Sequence, residues 1–142
     1  MPAGLIATAA TCAQLITWFP GIPETGSGYA IRTAEGLARD LHGRPVVLQR
    51  DAACSLAKII NASRGHIKTE HIHSSKRSVI WNHYVYGAKR SKHLEGLAID
   101  IHHSSRQWLL NHIDEVAQAY GWEHINYGGH GGHFEYDGRP AE

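Results

Sequence analysis

Residues 91–101 read Ser91-Lys92-His93-Leu94-Glu95-Gly96-Leu97-Ala98-Ile99-Asp100-Ile101. The second half of this stretch has the period of a strand. Successive side chains on a strand point to opposite faces, so Leu97, Ile99 and Ile101 turn together toward a core. Ala98, Asp100 and His102 then face the other way. Residues 133–137, His133-Phe134-Glu135-Tyr136-Asp137, follow the same rule. Phe134 and Tyr136 suit a core face, which leaves His133, Glu135 and Asp137 opposite. If the two strands are neighbours, Asp100 and His133 look into one cleft. His93 precedes Asp100 by seven positions, with Gly96 between them to let the chain bend back or approach closely.

Two imidazoles and a carboxylate form a three-ligand set that leaves the fourth position of a tetrahedral zinc for water. That is the pattern of a catalytic centre, because structural zinc is normally closed by four protein ligands. Imidazole with carboxylate also suits zinc better than copper or an iron–sulfur cluster. Spacing alone does not select this triple, since the chain has 12 histidines and several such sets arise by chance. His71, His73, His102 and His103 are not assigned; each reads as part of an exposed polar strand.

Outward from these strands, residues 51–62 read as a helix with Asp51 at its N-cap, a stripe of Leu56, Ile59 and Ile60, and Gly65 as its end. A second helix starts at Ser104 or Ser105. It carries Leu109, Ile113, Val116, Ala117 and Tyr120 on one face and stops at Gly121. Residues 66–73 suggest an edge strand, 74–92 a polar loop, and 122–127 and 133–137 a strand pair around the glycine turn 128–132. Residues 4–19 are expected to form a helix packed on the rest, 20–29 a loop, and 33–41 a short helix. The plan is α+β: a small antiparallel sheet with helices packed on one face.

Composition narrows the function class. At 142 residues there is room for one domain, expected to span 1–142. A formal net charge of +1 gives no nucleic-acid footprint. Residues 4–19 have no basic residue before them and are too short and polar to span a bilayer, so neither a signal peptide nor stable membrane association is expected. Cys12 and Cys54 are expected to be reduced thiols in a protein made in the cytoplasm.

Ser91 to Asp100 matches S-x-H-x-x-G-x-A-x-D, and on this the chain resembles the D-alanyl-D-alanine carboxypeptidase and L-alanyl-D-glutamate endopeptidase family of zinc peptidases, which share the hedgehog-type fold. Ser74-Ser75-Lys76-Arg77-Ser78 is similar to that family's S-G-Y-R-S segment. Asn82 and Gly87-Ala88 fall in register between the two motifs, and Gly131-Gly132-His133-Phe134-Glu135 is similar to the G-H-F-E ending. The likeness covers about residues 45–137, leaving 1–44 as an N-terminal helical extension.

The resemblance implies one zinc ion held by His93, Asp100 and His133. It implies Arg77 as a catalytic and substrate-binding residue, an anchor for a substrate carboxylate or a stabiliser of the tetrahedral oxyanion. Many family members carry an acidic general base three residues before the last ligand, where this chain has His130. A neutral imidazole suits that task; Glu123, His124 and Glu135 stand as substitutes, and Glu135 equally as a group orienting a ligand imidazole. Ser75-Lys76 replaces the family's Gly-Tyr.

The expected activity is hydrolysis of peptide bonds in the stem peptide or cross-links of peptidoglycan, by a monomer acting at the cell wall or periplasm, as in a phage endolysin. The alternatives are a D-Ala-D-Ala carboxypeptidase or dipeptidase, and a non-catalytic, zinc-stabilised peptide-binding module.

Overall fold

The structure, a computed structural model, describes residues 10–126 and 131–138. In chain order the elements are α1 (Cys12–Leu15), β1 (Ile16–Phe19), β2 (Gly28–Thr33), β3 (Gly36–Leu37), β4 (Val47–Leu48) and α2 (Arg50–Ala62). A 3-10 turn (Thr69–His71) leads into β5 (Ile72–Ser74), followed by α3 (Val79–Tyr84), α4 (Lys92–Glu95) and β6 (Ala98–Ile101). The chain closes with α5 (His103–Asn111), α6 (Ile113–Tyr120), β7 (Trp122–His124) and β8 (His133–Tyr136).

Strands β5, β6, β8 and β7 form an antiparallel sheet in that spatial order. The pairing assumed from the sequence is present: β6 and β8 are neighbours, and Asp100 lies directly opposite His133. Ser74 of β5 lies opposite Asp100 on the other side. Ile72, Ile99, Ile101, Trp122, Phe134 and Tyr136 face one way and join Leu56, Ile59, Trp108, Leu109, Val116 and Tyr120 from α2, α5 and α6 in a single core. The α+β plan with helices on one face of an antiparallel sheet is therefore the architecture of this half.

Helix α2 runs along the core because its inward face is mostly small. Ala52, Ala53, Cys54, Ser55, Leu56, Ala57 and Ile59 are all buried. Ser55 is tolerated there because its hydroxyl donates to the carbonyl of Tyr120 and accepts from the indole of Trp122, tying α2 to the turn between α6 and β7. The helix starts one residue earlier than expected. Gln49, not Asp51, is the N-cap, its side chain accepting from the amides of Asp51 and Ala52, and Asp51 sits in the first turn where its charge favours the helix dipole. The second predicted helix is two, α5 and α6, separated at His112, and Gly121 ends the latter as expected.

The N-terminal third departs most from the sequence reading. Of the expected helix over 4–19, only Cys12–Leu15 is helical among the described residues, and Ile16–Phe19 is a strand. The helix expected over 33–41 is absent: Thr33 ends β2, Gly36–Leu37 forms β3, and Arg39 bridges to Pro45. The described part of 1–44 thus supplies β1, β2 and β3 to a second antiparallel sheet, in which β2 also pairs with β4, and is not a helical extension. Strand pairing overrides the weak helical preference of Ala34, Leu37 and Ala38. The edge strand expected over 66–73 is shorter and later, as β5, and the loop 74–92 holds α3 and the start of α4.

Cys12 and Cys54 form a disulfide between α1 and α2, with Cα atoms 5.3 Å apart, which corrects the expectation of free thiols. Two cysteines 42 residues apart carry no sequence sign of proximity; folding of β1 and β2 between them brings them together.

Candidate metal centre

His93, Asp100 and His133 each offer a ligand atom within 4.8 Å of the others, and among the described residues they are the one such group. Strands β6 and β8 supply Asp100 and His133 through direct cross-strand register. His93 arrives from α4, a one-turn helix capped at its start by Ser91 and at its end by Gly96. Gly96 adopts φ +72, and a Cβ there would lie 2.5 Å from the amide nitrogen of Gln49. That amide donates to the Gly96 carbonyl at 2.9 Å, so α4 is locked against the start of α2. Only glycine meets both demands.

The hydrogen bonds of His93 define which nitrogen is available. Its Nδ1 lies 2.7 Å from the carbonyl of Ser75. A carbonyl only accepts, so Nδ1 carries the proton and Nε2 presents a lone pair. That Nε2 is buried without a hydrogen-bond partner, 3.2 Å from Oδ2 of Asp100. A lone pair facing a carboxylate oxygen inside a protein is unfavourable unless a cation lies between them. The donor set and this orphaned nitrogen fit a divalent metal.

His133 stands between two carboxylates: Nδ1 is 2.9 Å from Oδ1 of Asp100, and Nε2 is 2.9 Å from Oε2 of Glu135. Burial opposes its charge, but the hydrogen bonds to Asp100 and Glu135 outweigh burial and raise its pKa above the ordinary histidine value. Burial likewise favours the neutral form of Asp100, yet its hydrogen bond with His133 holds the carboxyl well below the usual range.

Arg77 reaches the same carboxylate, its Nη2 lying 3.2 Å from Oδ2 of Asp100. Its other donors go to Ser74 Oγ at 2.9 Å and Asn82 Oδ1 at 3.2 Å. Asn82 in turn donates to the carbonyl of Ala88 at 3.0 Å, and a Cβ on Gly87 would overlap the Asn82 side chain. The three positions noted in register between the motifs therefore form one device that closes the loop 82–88 and aims the guanidinium. Burial lowers the pKa of Arg77, its proximity to Asp100 opposing that effect.

The two departures in the arginine segment have structural roles. Ser75 is buried; its hydroxyl accepts from the amide of Val47, and its carbonyl is the one that orients His93. Lys76 extends its ammonium toward the carbonyl of Thr25.

Of the residues weighed for proton transfer, His130 lies outside the described residues. Glu135 is bonded to His133 as described. His124 is engaged elsewhere, its Nε2 2.8 Å from the carbonyl of Gly131. Glu123 is exposed on the edge strand β7, opposite Glu135. The structure also adds residues that spacing did not single out. A cleft running from Asp100 and Arg77 is walled by Arg44, Trp81, His42, His73 and Glu24. The guanidinium of Arg44 lies 5.8 Å from the ring centre of Trp81 and is held by Asp40. Arg44 sits in a loop with no motif around it, so only the tertiary fold could bring it to this cleft.

Residues 32–135 match the Peptidase M15 family, and the chain belongs to it. The family match therefore makes the chain a peptidase. The match begins at the end of β2, so the family region takes in β3 and β4 of the N-terminal sheet but not β1 or most of β2. Among solved structures, an LdcB LD-carboxypeptidase, described for the molecular basis of its peptidoglycan recognition, aligns with 20% identity and a TM-score of 0.48, over 88% of this chain and 85% of its own. A comparison with curated proteins finds no match.

Proposed function

We propose that the chain is a zinc-dependent peptidase that hydrolyses peptide bonds in peptidoglycan, with His93, Asp100 and His133 as the metal ligands. The observation that carries this reading is the buried, unpartnered Nε2 of His93 aimed at the Asp100 carboxylate, inside a family of peptidases. Bound there, zinc supplies Lewis acidity, polarising the scissile carbonyl and lowering the pKa of water toward about 7.

The chain's own residues supply the rest. The Ser75 carbonyl and the Glu135 carboxylate fix the two imidazoles in tautomer and orientation. Arg77 and Arg44, on one cleft, match a substrate rich in carboxylates, and peptidoglycan stem peptides are such a substrate. Trp81 offers the apolar wall that such clefts use beside their charged anchors. The proton-transfer role falls to His130, three positions before His133, since Glu135 and His124 are already committed to other partners. The Cys12–Cys54 disulfide suits work in an oxidising compartment such as the periplasm or cell surface.

The test is incubation of purified peptidoglycan with the zinc-loaded chain, its chelated form, and His93→Ala, with products read by mass spectrometry. Soluble fragments from the zinc-loaded chain alone are expected, and their masses identify the bond cut. Silence from all three preparations, or equal cleavage by His93→Ala, would overturn the reading; silence with peptide still bound would favour a zinc-stabilised binding module.

A further inference from the structure

Helix α3 closes on a residue that its backbone does not favour. The amide of Tyr86 donates to the carbonyl of His83 at 3.1 Å, and that of Gly87 to the carbonyl of Asn82 at 2.8 Å. These two bonds make the Schellman closure of a helix C-terminus, and the residue it places in the left-handed region is usually glycine. Here that residue is Tyr86, at φ +58. A Cβ in this conformation crowds the following carbonyl oxygen, and glycine would remove the crowding.

Nothing in the packing of the chain offsets that strain. Tyr86 is 96% exposed, so its ring leaves apolar surface in water and supports no neighbour. Tyr84, two residues earlier, does otherwise: its ring stacks on Trp81 with centres 5.1 Å apart. A tyrosine that is both strained and unpacked has no explanation in the fold, and residues of this kind cluster where a protein binds something.

Its place in the molecule says what that is. Asn82 accepts from Arg77 and donates to the carbonyl of Ala88, so the device that aims the guanidinium also grips the chain on either side of Tyr86. Tyr86 stands with Val85 and Arg90 on the wall of a cavity of about 480 Å³ that contains His93, Asp100 and His133. This cavity is separate from the cleft of Trp81 and Arg44, and Arg77, Val85 and Asp100 line both. The metal centre therefore has an aromatic ring on each side, Trp81 in one space and Tyr86 in the other.

We propose that Tyr86 is a specificity-determining residue of the peptidase. Its ring covers an aliphatic residue of the substrate on the side of the scissile bond away from Trp81, so the peptide is held on both flanks of the metal centre. The proposal rests on the peptidoglycan-peptidase reading above, and the alanyl residues of stem peptides are aliphatic groups of the required kind. Contact takes the apolar surface of the ring out of water, which favours binding. The contact is made equally before and during bond cleavage, so its loss acts on KM and leaves kcat unchanged.

The test uses the zinc-loaded full chain and soluble disaccharide-peptide fragments of peptidoglycan. Tyr86→Ala should raise KM about tenfold with kcat and zinc content unchanged, and Tyr86→Phe should keep the wild-type KM. Ile80→Ala, which removes an exposed apolar residue of α3 that lines neither space, should change nothing. Tyr86→Gly separates binding from folding. Its urea midpoint should equal or exceed that of wild type, because glycine accepts the left-handed backbone, while its KM rises as in Tyr86→Ala. An unchanged KM in Tyr86→Ala, an equal rise in Tyr86→Phe, or a lowered urea midpoint in Tyr86→Gly would overturn the proposal. If wild type cuts none of the fragments, the peptidase reading fails and calorimetric binding of the same fragments decides the role of Tyr86. Weaker binding by Tyr86→Ala keeps it as a ligand contact; equal binding, or none by either chain, removes it.

Discussion

The chemistry of the centre turns on which side of each imidazole is occupied. His93 gives its Nδ1 proton to the Ser75 carbonyl, which frees Nε2; His133 has Glu135 on one nitrogen and Asp100 on the other. Glu135 thus acts through His133, and Glu135→Gln should weaken zinc binding by about 10–100-fold with the fold intact, measured by chelator competition. Unchanged affinity would remove that role.

The raised pKa of His133 gives a pH prediction. Zinc needs the neutral ring, so zinc affinity should fall with falling pH, beginning above the ordinary histidine pKa of about 6.5. In the metal-free chain the sign reverses. The same group stabilises the folded state below that pH, and the contribution fades as pH rises through its raised value. A zinc affinity that is flat until well below about pH 6 would contradict this. At this scale His93, Asp100 and His133 were legible because each is a residue type in a spaced motif. Ser75 was not, because its contribution is a backbone carbonyl that any residue carries.

At the scale of elements, the site depends on the cross-strand register of β6 and β8 and on the anchoring of α4. Gly96→Ala places a Cβ against the Gln49 backbone at a positive φ. It should destabilise the fold by about 1–3 kcal/mol and displace His93. Urea unfolding and zinc content measured together check both effects; a stable variant with full zinc would show that α4 tolerates the change. The two-residue period made β6 and β8 readable, since core and cleft faces alternate without exception through Ile99, Asp100 and Ile101 and through Phe134, Glu135 and Tyr136. The N-terminal sheet was not readable. Its strands β3 and β4 are each two residues long, too short to show any period, and their register is set by β2 and not by their own sequence.

Across the whole molecule, the Cys12–Cys54 disulfide joins the N-terminal helix to the central helix α2. Closing a loop of this length stabilises the fold by about 4 kcal/mol in the chain-entropy account. Cys12→Ser should lower the unfolding free energy by roughly that amount, and reductant should do the same to wild type while leaving Cys12→Ser unaffected. Equal stability of oxidised and reduced wild type would mean that the bond contributes nothing. The same N-terminal sheet carries the loop from which Arg44 and His42 reach the cleft, so the region least legible in sequence supplies part of the proposed substrate wall.

Anomalous diffraction at the zinc edge from crystals of the zinc-loaded chain addresses the centre most directly. A peak should lie about 2.0–2.2 Å from a nitrogen of His93, a nitrogen of His133 and an oxygen of Asp100. Crystals with zinc bound elsewhere and nothing between those three side chains would contradict the account.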